Sequence, residues 1–442
     1  MKKIDDILNI PCRLHCSTSG LDIVFEGVLT HQETNVIFTG RTEVDEKKLD
    51  WRQTYTLHGD IESTPITLLN TSIKSMSSTG YNSAFHYIKF SPSEIIIGRS
   101  YDCGENDIKI KKISANIQIL NNMFSSQAVD LTPCFSKENP ALANYTYPAS
   151  IDAIDKDGSL SVYQTFGLGW SRNSINIPLI PCIDYTFNSP ASIRDGISKI
   201  ACVRNLFSFF SNFYIPLENL SFSDEQSCEA WCCDASVYLN FTDVIDTTDR
   251  PFLITTSDFS SNFGKIWVNW NNLYSKKYIP TLFYEIICNK SLRINRFLNF
   301  AQAIEIFSNH YRDEEAKQLA VKEGWKGKQL PLKYRFKDII TYLNTFLCLN
   351  PSEISDLSKI LSDERNFFTH YNEKYTIPSA QELFAAGRVL HFMLLALVYR
   401  TISLDDSAIK HAARFFSFGS LSNDIKVVLK QVACIEHDNM YE

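Results

Sequence analysis

The chain has 442 residues, 44% hydrophobic, 13% aromatic and 21% charged, with a formal net charge of -7. That length holds two or three domains, and the aromatic content excludes long disordered spans. The negative balance excludes a protein that coats nucleic acid or membrane with its whole surface, while leaving room for a local basic groove.

The first residues, Met1 to Ile7, carry acids where a secretory signal needs an apolar core. Residues 1–190 read as a β-rich domain. Ile23–Leu29, Asn35–Gly40, Tyr55–Gly59, Pro65–Leu69, Tyr87–Phe90 and Glu94–Gly98 are short, β-branched and punctuated by Gly, Asn and Asp. Ile108–Leu120 suits a longer strand pair. Strands at this spacing predict an antiparallel sandwich or open barrel. Twelve cysteines are scattered through the chain. Two groups, Cys12-His15-Cys16 and Cys228-Cys232-Cys233, lack the paired C-x-x-C spacing of a zinc site. They read as buried thiols, so no metal or cofactor is expected.

Residues 191–277 form a mixed segment that completes the N-terminal region. A helix starts near Ser189–Ser192, with Ser189 or Ser192 as its cap, and ends at Pro216. Short mixed segments, including Ala235–Leu239, follow through 217–260. Gly264–Tyr274 fits helix or strand, and its Trp267 and Trp270 suit packing.

Residues 278–442 read as an all-α bundle with helices at Phe283–Cys288, Arg293–Tyr311, Lys333–Leu347, Pro351–His370 and Ser379–Ile402, then a weaker pair. Asn350 and Ser379 are candidate caps. Residues 313–330, polar and rich in Lys and Glu, read as an exposed excursion. The most apolar stretch, Val389–Val398, is too short to span a bilayer and contains His391, so no membrane span is expected and the chain reads as cytoplasmic. Residues 291–345 hold 10 Lys and Arg against 6 Asp and Glu, which suits a phosphate-bearing partner or an ordinary solvated face.

Near the end of the Pro351 helix lies Asp363-Glu364-Arg365-Asn366-Phe367-Phe368-Thr369-His370-Tyr371. Arg365 can hold a phosphate through a bidentate fork, His370 can move a proton near neutral pH, and Asn366 can orient either. Those groups suffice to cleave RNA without a metal, because the 2′-hydroxyl is a built-in nucleophile. Structural roles compete: Arg365 can pair with Asp363 or Glu364, and His370 can cap the helix. Glu305, on the first long bundle helix, can pair with Arg365 or Arg388. Tyr371 can stack a base or pack in the core. Five residues turn a helix by about 500°, which sets Arg365 and His370 about 140° apart around the axis. A shared phosphate then needs a helix end at His370 or a second copy of the chain.

Arg365-Asn366-x-x-x-His370 resembles the R-x4–6-H signature of the HEPN superfamily of ribonucleases. The layout is similar to ApeA-type anti-phage defence proteins, on the strength of Phe25-Glu26-Gly27-Val28-Leu29, His58-Gly59 before Ile66–Leu69, and the bundle opening Arg296–Glu305 that closes near His310-Tyr311. The resemblance implies a metal-independent endoribonuclease acting as a homodimer through its bundle. Arg365 would bind the scissile phosphate, His370 would serve as general acid or base, and Asn366 would position them, with Glu305 and Tyr371 in support. The product would be a 2′,3′-cyclic phosphate, and a tRNA loop is one candidate RNA. The β domain would sense or restrain, under an unknown phage trigger. The rival reading is a non-catalytic dimeric interaction protein whose β domain binds a protein or a carbohydrate. A toxin of a toxin–antitoxin pair is a third, against which the long N-terminal region counts.

Overall fold

A computed structural model describes the chain except residues 1–3, 17–22, 33–34, 44–48, 79–84, 105, 118–119, 125–149, 167–168, 172–173, 177–178, 216, 225–228, 235–251, 277–292, 371–377, 417–420 and 439–442. The expected Phe283–Cys288 helix and the Ala235–Leu239 segment lie outside the described residues.

Six strands open the N-terminal region: β1 (Pro11–Cys16), β2 (Ile23–Gln32), β3 (Asn35–Thr42), β4 (Thr54–Ile61), β5 (Thr64–Ser78) and β6 (His86–Ser91). They pair in the order β4-β1-β2-β3-β6-β5, and a β4–β5 ladder closes the ring, so the expected barrel is present as a closed one. Alternation drives it. In β1, Cys12, Leu14 and Cys16 point inward while Pro11 and Arg13 stay exposed. Phe25, Phe38, Leu57, Leu68, Ile88 and Phe90 fill the interior with no exposed surface. His15 lies on the opposite face of β1 from Cys12 and Cys16, so those three cannot converge on one ion. The two-residue turn joining β4 to β5 puts Glu62 and Ser63 in the left-handed region, at φ 47° and 64°. That conformation matches strand twist but usually recruits Gly or Asn.

β5 is long enough to serve two sheets. Its Ile66–Leu69 segment also pairs with β7 (Glu94–Ile97), and β6 takes over that edge beyond Asn70, whose φ of 48° marks the branch. From β7 the antiparallel sheet continues through β15 (Glu229–Asp234), β14 (Glu218–Asp224), β8 (Lys109–Asn116), β13 (Leu179–Ser192), β10 (Gly158–Phe166) and β9 (Ile151–Ile154). A small hairpin, β11 (Gly169–Ser171) and β12 (Ser174–Asn176), stands apart. Helix α1 (Ile193–Ser211) leaves β13 directly. The Ser192 hydroxyl accepts from the Asp195 amide at 3.1 Å and donates to its carboxylate at 2.7 Å, making Ser192 the cap. Gly196 lets α1 approach the sheet, since a Cβ there would stand 2.4 Å from the Ile110 Cδ1.

The chain forms two compact units, residues 1–204 with 215–250, and residues 205–214 with 251–442. In the second, Gly264–Tyr274 resolves as helix α2 (Phe263–Tyr274), with Trp267 and Trp270 fully buried. Phe209 meets the Trp270 ring edge-on at 5.5 Å, so the tryptophan pair is packing. Next come α3 (Arg293–Tyr311), α4 (Asp313–Lys322), α5 (Leu332–Tyr342), α6 (Pro351–His370), α7 (Ala380–Thr401), α8 (Asp406–Phe415) and α9 (Leu421–Asp438). Helix α4 corrects the expected exposed excursion. Its first turn carries Asp313, Glu314 and Glu315 against the helix dipole, Lys322 closes it, and Ala316 and Ala320 bury one narrow stripe. Asn350 caps α6 by accepting from the Glu353 amide at 3.0 Å, and Ser379 caps α7 in a reciprocal box with Glu382.

Helix α7 is the core of the bundle. Over 18 of its 22 residues the mean hydropathy is 1.5, the length and composition of a membrane span, which corrects the shorter apolar stretch expected from sequence. Some 78% of that window is buried inside the protein, mostly against α3 and α9.

Candidate active site on helix α6

Helix α6 is laid down by one apolar stripe. Ile354, Leu357, Ile360 and Leu361 are buried, and Ser358, Ser362 and Glu364 join them. The next turn carries Arg365, and its environment comes from α3. Phe297 meets Phe368 at 6.2 Å between ring centroids, and eight residues further along α3 Glu305 meets Arg365. Rising along α3 while descending along α6, these contacts make the two helices antiparallel.

The Arg365 Nη2 donates to the Glu305 Oε2 at 3.0 Å, with the two side chains 19% and 31% exposed. Its Nη1 reaches the Asn366 Oδ1 at 3.4 Å. Its Nε is buried and makes no hydrogen bond among the described residues. The guanidinium is therefore fixed by one strong contact and retains donor capacity. Of the two arginines open to Glu305, Arg365 takes it, and Arg388 pairs with Asp424 at 2.9 Å. Asp363 and Glu364 do not pair with Arg365. Glu364 is fully buried, and burial raises the Asp363 carboxyl above its usual range against the pull of Lys359 and Lys333.

His370 is exposed and is the last residue of α6. The Thr369 hydroxyl donates to the Arg365 carbonyl at 2.8 Å, so the last turn is closed by a side-chain bond as well as the backbone. Since α6 stays helical from Arg365 to His370, the two side chains are held about 140° apart. The structure brings Glu305 and Arg365 together and sets His370 on another face of the same helix, which Asn366 shares while reaching the Arg365 guanidinium. Tyr371 lies outside the described residues.

That other face was missed in the sequence. Lys359, Asp363, Asn366 and His370 follow i, i+4, i+7, i+11 and share a stripe. Lys333 at the start of α5 lies close enough to Asp363 to act on its carboxyl. The spacing was the available signal. The remaining histidines go elsewhere: His391 is 5% exposed and stacks on Phe300 at 4.8 Å, and the His411 Nδ1 lies 3.3 Å from the Asp258 carboxylate.

Two family models match the chain: the ApeA N-terminal domain 1 over residues 20–270, and the Apea-like HEPN domain over residues 298–408, which contains Glu305, Arg365 and His370. No curated protein and no solved structure matches it. With more than half of its length inside the first model and its bundle inside the second, the chain belongs to the ApeA family, an antiparallel β domain followed by a C-terminal HEPN bundle.

Proposed function

We propose that the protein is a metal-independent endoribonuclease of anti-phage defence, cutting RNA in the cytoplasm with Arg365 and His370. The observation that carries this reading is Arg365, held at 3.0 Å by Glu305 on a neighbouring helix and five residues before an exposed His370, in an Apea-like HEPN domain. Arg365 would neutralise charge on the scissile phosphate as it becomes five-coordinate. His370 would take the proton of the 2′-hydroxyl, whose oxygen attacks phosphorus. The bond to the 5′-oxygen breaks, that oxygen takes a proton from solvent water, and a 2′,3′-cyclic phosphate remains. Asn366 would steady the guanidinium through its 3.4 Å contact.

The separation of about 140° favours a shared site, because α6 stays helical through His370 and turns the two side chains of one copy apart. One copy supplies Arg365 and its partner supplies His370, so the active form is a homodimer joined through the bundle. Single-stranded loops, such as those of tRNA, suit the mechanism because their 2′-hydroxyls can align with the leaving oxygen. The β domain would hold the bundle at rest until a phage component arrives. Incubating the purified protein with total RNA in EDTA tests the reading. Discrete cuts ending in cyclic phosphate, abolished by His370→Ala and by Arg365→Ala, are expected. Intact RNA at high protein concentration, or cleavage unchanged in both variants, refutes it and favours a non-catalytic dimeric sensor.

A further inference from the structure

Four lysines stand out at the α4–α5 corner. Lys322, Lys326, Lys328 and Lys333 are exposed, and none forms an ion pair among the described residues. Of the neighbouring charges, Glu323 pairs with Lys337 and Arg335 with Asp313. This is a local excess of positive charge on a chain whose net charge is -7.

The corner is built, not loose. Gly324 takes a left-handed φ of 84°, and the Trp325 amide reaches back to the Ala320 carbonyl at 2.9 Å, closing α4. The Trp325 indole then lies over Gly327, where an added Cβ would stand 2.8 Å from the indole nitrogen. Lys326 and Lys328 are thus carried on a folded turn beside a half-buried aromatic ring.

The corner leads to the motif helix: α5, which carries Lys333 in its first turn, packs against α6, where Lys359, Asp363, Asn366 and His370 share one stripe, and Lys333 and Lys359 both act on Asp363. Asp363 and His370 stand about 10 Å apart along the axis. Lys333 and Lys359 therefore border the stripe that bears His370, turned away from the Arg365–Glu305 contact, and Lys326 and Lys328 precede Lys333 on the turn that enters α5.

We propose that this face, Lys326 and Lys328 through Lys333 and Lys359 to His370, is the track along which the phosphate backbone of a single-stranded RNA runs from the scissile position. The track rests on the ribonuclease reading above and adds where the substrate lies. A chain of exposed lysines outside any ion pair among the described residues, of which Lys333 also lies over the Tyr334 ring at 4.8 Å, recognises a repeating anion and reads no sequence, as expected of contacts to successive phosphates.

The test uses the full-length protein carrying His370→Ala, so that bound RNA stays whole. Anisotropy of a labelled single-stranded RNA of about 12 nucleotides is titrated across a range of salt concentrations. Each phosphate contact contributes about 0.7 to the slope of log affinity against log salt for single strands. Adding Lys326→Ser, Lys328→Ser and Lys333→Ser should lower that slope by about 2 and weaken binding on the order of 100-fold at 0.1 M salt. Arginine at the same three positions should restore both. If the parent binds RNA and the serine variant keeps its slope and affinity, the track is wrong while the ribonuclease reading stands. If the wild type cuts no RNA and the parent binds none, the ribonuclease reading fails and takes the track with it. If polyglutamate binds the parent as tightly as RNA, with the same lysine dependence, the face serves an acidic protein and the proposal is overturned.

Discussion

The contact between Glu305 and Arg365 lends itself to a double-mutant cycle. Glu305→Gln keeps the side chain's shape and removes the carboxylate, leaving the 19% exposed guanidinium without its counter-charge. Breaking a fully buried pair from one side costs about 3–5 kcal/mol, and an exposed pair is worth less than about 1 kcal/mol. The intermediate burial places Glu305→Gln at roughly 1–2 kcal/mol. Arg365→Met keeps the apolar stem and leaves Glu305, at 31% exposure, within reach of water, for a cost of roughly 0.5–1 kcal/mol. The double variant should cost no more than Arg365→Met alone, a coupling of about 1–2 kcal/mol. Urea unfolding of the full chain, followed by helical circular dichroism at neutral pH, measures all four corners. A cycle that is additive within about 0.3 kcal/mol refutes the claim that Glu305 holds Arg365 in place.

Gly196→Ala forces a methyl to within 2.4 Å of the Ile110 Cδ1, which must move aside in the buried core, and net of the helix-propensity gain should destabilise the N-terminal unit by up to about 2 kcal/mol. Gly387→Ala, in the middle of α7 with nothing within 4 Å, should instead stabilise by up to about 1 kcal/mol. Thermal melts that move in the same direction for both would contradict the packing around α1 or α7. Burial, with Arg296 and then Arg388 nearby, pushes the His391 imidazole down to about 3. Its folded pKa is below its unfolded one, so unfolding takes up a proton that the native state refuses. Stability should therefore fall as pH drops below about 6.5, by up to about 1.4 kcal/mol per pH unit until about 3. His391→Leu should flatten that slope in urea titrations at pH 7, 6 and 5, and an unchanged slope assigns the acid sensitivity elsewhere.

Local chemistry was legible where one residue decides the outcome. Asn350 and Ser379 announce α6 and α7 because a short polar side chain before an apolar stripe satisfies amides that nothing else can reach. Helix α4 was hidden because its buried stripe is two alanines wide, so tertiary contact rather than hydrophobic pattern decides it. The Glu62-Ser63 turn was hidden for the opposite reason, since the ladder imposes a left-handed backbone on residues that do not ask for one. Ring closure depends on β1 meeting β4 across some forty residues, a pairing no local pattern carries. At the site, the spacing of Arg365 and His370 fixed their angular separation, and Glu305 was narrowed to two arginines. Choosing between them required Asp424, which claims Arg388 from α9 and leaves Arg365 to Glu305.

The divided site carries its own decisive experiment. Arg365 faces α3 and His370 does not, so in the proposed dimer each cleft draws its arginine from one copy and its histidine from the other. Arg365→Ala and His370→Ala proteins are each inactive alone on this reading. Mixed in equal amounts and allowed to exchange subunits, about half of the dimers are heterodimers. Each heterodimer has one cleft with both residues lost and one with both intact. The mixture should recover about a quarter of wild-type cleavage. If both residues of a cleft came from the same copy, every cleft in the mixture would carry a lesion and no activity would return. Size-exclusion analysis of differently tagged subunits confirms that exchange has taken place, so inactivity after exchange rejects the shared site and leaves the identity of the two residues to the single variants.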